Sequence, residues 1–547
     1  MTDELEDVLR TATDVLGFDE LRDEQELAIA ASLAGQDVLA LLPTGAGKSA
    51  IYQLAGNEID GLTVVVSPLL ALQRDQIDSI NETGLDEAAA IDGTMSRAAR
   101  RRVVSRAAAG ELEYLFCTAE QLTDPELLDE LARARVSLFV VDEAHCIATW
   151  GRDFRPAYQR LGDAIDRLHR PRVIALTASA TPAVQQEIIE QLRLSEPTVV
   201  RRSIVRPNIS PQVTMAGDRH GAASLLAAAM AELSGTVLVY VPTRALTTEL
   251  AEVLSSGSRP ALGYHGGMRA SERTSAHELL ASGRDAVLVA TTAFGLGIDA
   301  PHVRGVLHLD APETLDSYYQ ELGRAGRDGN PASAVLFHSG RQASRRRFAA
   351  GGPSWTVDDA IAVHRLLDEG PRGRTELRSL SGLGAGVLQS VLAELGALGA
   401  VASDVRLVRR AGALAGEDIE ARLERAQRLA EARQSALDAY LSSTSCRWQQ
   451  LAGYYGEATE PCGHCDVCRS RSAEVSDGPD AVDAGQVRLV PGLRVVHEAF
   501  GSGTVTSLAE DEVSISFDEA GSRKFDVEVL ATADLLRPDE PAVAVDD

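Results

Sequence analysis

Short apolar runs punctuate the chain as far as about residue 340. They are DVLALL (37–42), LTVVVS (62–67), YLFCT (114–118), LFVVDE (138–143), RVIALT (172–177), TVLVYV (236–241), AVLVAT (286–291) and GVLHLD (305–310). Stretches of roughly helical length separate them. β-Branched runs so spaced predict parallel strands buried on both faces by helices. The break at RPNIS (206–210) predicts two α/β domains, residues 1–205 and 206–345.

Beyond 346 the pattern becomes helical. TELRSLSGLGAGVLQSVLAELGALGAV (375–401) predicts helix, glycine-containing turn, helix and short strand, a helix-turn-helix or winged-helix pattern within 346–412. GEDIEARLERAQRLAEARQSALDAYL (416–441) predicts a long amphipathic helix opening a module at 413–470. Polar, Gly/Pro-containing residues 471–486 are expected to be a linker. The alternation of VSISF (513–517) and the turn FGSG (500–503) predict a small β-barrel at 487–540.

With 547 residues, several domains are needed. No apolar run approaches a membrane span and MTDELEDVLR is unlike a signal peptide, so a cytoplasmic protein without membrane contact is expected. A net charge of −27 argues against blanket affinity for nucleic acid but leaves room for a local basic channel. The arginine runs at 97–106 and 341–347 are as well read as solvated helix faces as phosphate contacts. Lys48 and Lys524 are the only lysines among 53 basic residues. A chain that otherwise uses Arg and keeps Lys at 48 points to a site needing a compact ammonium.

Lys48 lies in LLPTGAGKSA (41–50), between an apolar strand and a helical pattern. Gly45 and Gly47 let main-chain amides approach a phosphate, Lys48 can reach β/γ-phosphates and Ser49 can hold magnesium. The first glycine of the general phosphate-loop pattern is replaced by Leu42. Asp142 and Glu143 at the end of LFVVDE strengthen the match, one acid for the magnesium shell and one for the attacking water. In YYQELGRAGRDG (318–329), Arg324 and Arg327 are three apart, and on a helix would share one face, suited to a triphosphate. Four cysteines, Cys446, Cys462, Cys465 and Cys468, suit tetrahedral Zn²⁺, with an iron–sulfur cluster as the rival. His464 could substitute as a ligand. Cys117 and Cys146 read as buried thiols.

The ordered set GFDELRDEQ, PTGAGKS, VVVSPLLALQRDQ, DEAHCIATWGRDFRP, ALTASAT, RPNI, ATTAFGLGID and YYQELGRAGRDG resembles the RecQ family of superfamily-two DNA helicases, over residues 10–340 and again at 446–468. The resemblance implies two tandem RecA-like domains and an ATPase that uses Mg²⁺, with Zn²⁺ on the cysteines. It implies that Phe18 stacks near adenine, that Arg22 and Gln25 read it, and that Thr44, Gly45, Ala46, Gly47, Lys48 and Ser49 hold phosphate and magnesium. Asp142 would bind magnesium, Glu143 would position water, and Gln320, Arg324 and Arg327 would reach the γ-phosphate from the second domain. Asp299 would lie near the ribose or cleft, where an asparagine is common. His145, Trp150, Arg152, Phe154 and Arg155 would couple the nucleotide to single-stranded DNA. From the residues alone, Trp150 could equally be core.

The helix-turn-helix precedes Cys446, whereas a winged helix usually follows the zinc module in this family. The terminal segment resembles the Tudor/SH3-like barrel that ends UvrD/PcrA-type helicases and implies docking of a protein, RNA polymerase or a repair factor, with Lys524 on that surface or incidental. The implied activity is ATP-driven 3′–5′ translocation on single strands and unwinding of tailed or forked duplexes in repair or recombination, by a monomer. An RNA helicase, a translocase that separates no strands, and a recruitment module with a vestigial motor are the alternatives. WGRDFRP argues against the first, and intact Lys48, Asp142, Glu143, Arg324 and Arg327 against the last.

Overall fold

Each of the eight apolar runs contributes a buried strand. The computed structural model describes Val8 and residues 20–68, 70–83, 87–93, 95–148, 156–217, 219–255, 259–292, 294, 300, 302–339, 355–403, 407–476, 482–484, 487–490, 492–509, 512–518, 520–533 and 535–538. The first sheet holds β1 (Val38–Leu41), β2 (Leu62–Val66), β3 (Ala88–Ile91), β4 (Tyr114–Cys117), β5 (Val136–Val141), β6 (Arg172–Thr177) and β7 (Thr198–Arg201). All are parallel, in the order β3-β4-β2-β5-β6-β1-β7. The second sheet, also parallel, holds β8 (Ile209–Met215), β9 (Thr236–Tyr240), β10 (Ala261–Tyr264), β11 (Val287–Ala290), β12 (Val303–His308) and β13 (Ala332–His338), in the order β10-β11-β9-β12-β13-β8.

The strands that the apolar pattern did not reveal are β3, β7, β8, β10 and β13. All but β13 are sheet edges. An edge strand has one neighbour and a partly wet face, so β8 (ISPQVTM) mixes polar and apolar residues where a central strand is continuously apolar. In the first sheet β6 separates β5 from β1. The carboxyl ends of β1 and β5 are therefore about 10 Å apart, with the end of β6 between them, the usual ligand-binding edge of an open parallel sheet.

Helices Val357–Arg365, Arg374–Ser381 and Ala385–Ala397 follow, with a three-stranded antiparallel sheet of β14 (Arg372–Gly373), β15 (Val401–Ser403) and β16 (Leu407–Arg410). Gly382, at φ 70°, closes the second helix in the left-handed region that glycine enters without strain. Trp355, Leu377, Leu388, Val391, Leu395 and Val408 pack into one core, and 375–401 forms helix, glycine turn, helix and short strand in that order. The long helix runs over Gly416–Ser442. It donates from Arg433 to the Ala148 carbonyl (3.1 Å) and from Tyr440 to the Tyr318 hydroxyl (3.4 Å).

The chain divides into two compact units, residues 1–443 with 450–459, and residues 444–449 with 460–547. The second unit contains helix Asp466–Ser476, the hairpin β17 (Val482–Ala484) and β18 (Val487–Leu489), and an antiparallel sheet. That sheet comprises β19 (Arg494–His497), β20 (Gly501–Leu508), β21 (Glu512–Phe517), β22 (Gly521–Asp526) and β23 (Leu536–Pro538), ordered β22-β21-β20-β19-β23. The alternation of VSISF holds, with Val513, Ile515 and Phe517 inward. The expected linker at 471–486 is structured where it is described: the helix continues to Ser476, and Val482–Ala484 pairs with a strand whose Val487 and Leu489 enter the core of the terminal sheet. Polar composition concealed those few anchoring residues. Among the described residues no helix is long and apolar enough to cross a membrane.

Candidate nucleotide cleft and metal centre

β1 gives way to a turn that enters helix Lys48–Glu58. Gly45 (φ 80°) and Gly47 (φ 72°) occupy the left-handed region, where a side chain is strained. Space adds a second constraint, since a Cβ on Gly47 would lie 2.6 Å from Gln25 Nε2. Buried Gln25 donates to the Gly47 carbonyl (2.9 Å), and its Oε1 accepts the Arg22 backbone N–H (2.9 Å). The two residues expected to read a base are thus tied to the loop expected to hold phosphate. Lys48 folds its ammonium over the same loop, donating to the Leu42 carbonyl at 3.2 Å. The first amides of an 11-residue helix and the Lys48 ammonium therefore lie at one loop, beside Arg22 and Arg327.

β5 delivers the acids. The Asp142 amide donates to the Val66 carbonyl (2.8 Å), extending the ladder with β2 by one residue. The Asp142 carboxylate is buried, accepting from Ser67 Oγ (3.3 Å) and from the Glu143 amide (3.0 Å). Burial raises its pKa, the Glu143 charge raises it further, and Lys48 only partly opposes them. Glu143 takes φ 49°, an unusual value for a side chain-bearing residue. Burial disfavours its charge too, but His145, Lys48 and Arg324 outweigh burial and hold it below the ordinary carboxylate range.

His145 connects the two sheets. Its Nδ1 lies 3.2 Å from Glu143 Oε2 and 3.0 Å from Thr177 Oγ1, at the end of β6. Its Nε2 lies 3.4 Å from Gln320 Nε2, on helix Leu315–Leu322 of the second sheet. Burial works against a charged imidazole, yet the hydrogen bond and charge of Glu143 raise its pKa.

The helical placement expected for Arg324 and Arg327 does not hold. Their helix ends at Leu322, and both residues lie on the tight turns that follow. Gly326 sets the path at φ 53°. Its amide donates to the Val303 carbonyl (2.9 Å), and its carbonyl accepts from Arg206 Nη2 and Asn208 Nδ2, both at 2.8 Å. A Cβ there would lie 2.4 Å from Asn208 Nδ2. The turns still bring both arginines to the cleft. The Arg327 stem packs against Gly45, whose Cβ would stand 3.7 Å from Arg327 Cγ. Arg324 is buried with its guanidinium carbon 5.8 Å from the Phe294 ring centre, and its charge reaches Glu143.

Phe18, Trp150, Arg152, Phe154, Arg155 and Asp299 lie outside the described residues, as does the arginine run 341–347. Ser67, Gln73, Thr177, Arg206, Asn208 and Tyr240 carry contacts that the sequence reading did not assign. Gln73 donates to the carbonyls of Ser67 (2.8 Å) and Cys117 (3.1 Å), and Tyr240 Oη to that of Phe294 (2.9 Å). Most sit in quoted motifs, and only their three-dimensional neighbours reveal what they hold.

In the second unit the Sγ atoms of Cys446, Cys462, Cys465 and Cys468 lie within 4.8 Å of one another. Cys446 and Cys465 are 4.0 Å apart, close to the roughly 3.8 Å edge of a tetrahedron with 2.3 Å zinc–sulfur bonds. Backbone amides of Cys462, Cys465 and Cys468 point at the sulfurs of Cys446 (3.2 Å), Cys462 (3.3 Å) and Cys465 (3.4 Å), favouring thiolates. The buried Arg447 grips Asp466 through two parallel 2.9 Å bonds, fixing the backbone between ligands. His464 turns Nδ1 to the Cys462 carbonyl (2.6 Å) and is not in the four-residue cluster. The donor set fits zinc.

Comparison with known proteins gives three family matches: DEAD/DEAH box helicase over residues 22–188, helicase conserved C-terminal domain over 222–329, and RecQ zinc-binding over 402–469. The probable ATP-dependent DNA helicase RecS of Bacillus subtilis is 33% identical over 464 residues, spanning 83% of this chain and 91% of that protein. The ATP-dependent DNA helicase RecQ of Pasteurella multocida is 31% identical over 465 residues, 84% of this chain, and the match covers 62% of that longer protein. A crystal structure of the DUF1998 helicase MrfA bound to DNA shares the fold at 16% identity, with a TM-score of 0.52 over 77% of this chain and 64% of that one.

Proposed function

The chain belongs to the RecQ family of ATP-dependent DNA helicases, and from that premise we propose that hydrolysis in the cleft between its two sheets drives 3′–5′ movement along single-stranded DNA and opens tailed or forked duplexes during repair or recombination. The observation carrying this reading is that opposed groups meet across the cleft, Gln320 at His145 and Arg327 at Gly45.

Arg22, Gln25 and Phe18 hold the base. The amides of Thr44, Gly45 and Gly47, with Lys48, bind the phosphate oxygens, and the Ala46 amide closes the turn on the Pro43 carbonyl (3.1 Å). Ser49 and Asp142 hold magnesium, which when bound draws charge from the β- and γ-phosphates. Glu143 orients the attacking water and accepts its proton as the new oxygen–phosphorus bond forms and the bond to ADP breaks. Arg324 and Arg327 meet the charge that develops. Asp299 is assigned to the ribose in this reading.

Glu143 and His145 run directly into residues 149–155. Trp150 and Phe154 stack on bases, and Arg152 and Arg155 meet phosphates, so an occupied loop favours the closed arrangement of His145 and Gln320. Trp150→Ala should leave ATP binding intact and reduce the DNA-stimulated rate to the basal one. An undiminished stimulated rate would overturn the coupling. The protein acts as a cytoplasmic monomer, and its terminal sheet, a Tudor-like barrel in this reading, docks a protein such as RNA polymerase or a repair factor.

A further inference from the structure

The segment Gln450–Thr459 lies between Cys446 and Cys462 in sequence but packs with the ATPase unit. Its residues Tyr454–Glu457 touch three elements that must move relative to one another when the cleft opens. The first is the connector Arg202–Asn208 between the sheets. Glu457 accepts the Ser203 hydroxyl on one carboxylate oxygen and the Ile204 amide on the other, the latter at 3.0 Å. The second is the start of helix Leu315–Leu322, which carries Gln320. Asp316 there accepts the hydroxyls of Tyr454 (2.8 Å) and Tyr455 (3.1 Å). The third is the loop after β6 and the start of the helix Pro182–Gln191 that it enters. Gly456 (φ 78°) passes so close to Pro182 that a Cβ would stand 2.8 Å from its Cγ, and Ser179 bonds the Tyr455 hydroxyl.

Tyr455 is buried, Tyr454 and Glu457 are half-buried, and their contacts brace one another. Tyr455 and Tyr319 pack at 5.4 Å between ring centres, and Tyr319 Oη donates to the Ile204 carbonyl (3.1 Å), so the connector is held at both its amide and its carbonyl. Tyr319 is the residue before Gln320 and one turn from Asp316. A carboxylate taking two donors from the connector is a charge-assisted anchor, stronger than neutral bonds and lost as a unit if either partner moves.

We infer that Tyr454–Glu457 is a hinge clamp, a set of positioning residues that holds the connector and the Leu315–Leu322 helix in the register where Gln320, Arg324 and Arg327 face the phosphate loop. None of the four touches the expected nucleotide position. They act through the helix and turn that carry those groups, so the inference rests on the cleft reading above. The clamp favours the closed arrangement over the open one, and weakening it lowers the fraction of bound ATP that is hydrolysed.

The test uses the full chain with Glu457→Gln, Tyr455→Phe, Ser203→Ala and the Glu457→Gln/Ser203→Ala pair. Nucleotide affinity is read with a fluorescent ATP analogue, kcat and KM for ATP at saturating single-stranded DNA, and thermal midpoint alongside. Glu457→Gln keeps an acceptor for the Ile204 N–H and can donate to the Ser203 hydroxyl but removes the charge from both bonds, so kcat should fall about fivefold to tenfold. Analogue affinity and stoichiometry should stay within twofold. The double variant should lose little more than Glu457→Gln alone, because one contact is being broken twice. A wild-type kcat, a kcat that falls only in proportion to analogue stoichiometry, or additive losses would each overturn the clamp. Arg324→Ala separates the two readings. If it too leaves kcat unchanged, the cleft assignment fails; if it collapses kcat while Glu457→Gln does not, only the clamp fails.

Discussion

Replacing Arg324 by alanine perturbs both the charge that meets the phosphate and the acid that handles the water. Arg324 is 6% exposed, its guanidinium lies over the Phe294 ring, and it is among the charges that hold Glu143 in its ionised form. An arginine meeting developing phosphoryl charge contributes on the order of 10³-fold to kcat, or about 4 kcal/mol of barrier. Binding to the first sheet's loop needs none of this, so KM should change only a few-fold. The second effect has a definite sign. Glu143 must be ionised to accept a proton, and its pKa lies below the ordinary value because His145, Lys48 and Arg324 outweigh burial. With one of those cations gone the pKa rises, and activity is lost at a higher pH as the solution is acidified. Steady-state ATPase at saturating single-stranded DNA near neutral pH reads the first effect; the second falls well on the acid side, because Glu143 is held at about 2. A kcat within tenfold of wild type would refute the assignment of Arg324 to the phosphate.

Lys48→Arg should lower kcat at least about 100-fold, because a planar fork cannot replace the ammonium now lying 3.2 Å from the Leu42 carbonyl; near-normal turnover would show that the lone lysine is incidental. Gly47→Ala places a methyl 2.6 Å from Gln25 Nε2 at φ 72°, so ATP affinity should drop more than tenfold by equilibrium titration, and unchanged binding would argue against the Gln25 tether. Metal analysis should return about one zinc per chain, and chelation should lower the thermal midpoint by several degrees; iron with visible absorbance would refute the zinc assignment.

The phosphate loop, the acid pair and the four cysteines were legible because their chemistry is local. Two glycines, a lysine and a strand end suffice to specify a phosphate cradle, and CxxC spacing brings thiols together over a few residues. The central strands were legible for a related reason: burial on both faces demands an unbroken apolar run, which an edge strand such as β8 (ISPQVTM) lacks. Tertiary structure alone decided the rest. Arg324 and Arg327 looked like one helix face, yet Gly326 held by Arg206 and Asn208, more than a hundred residues earlier, takes them off the helix. Thr177, Tyr240 and Glu457 are ordinary residue types whose partners lie far away in sequence, so no spacing rule marks them. The chain's own order determines which groups can do the chemistry. Long-range packing of connector, helix and clamp determines where they point, because a hydrogen bond between distant residues has no signature until both ends are folded.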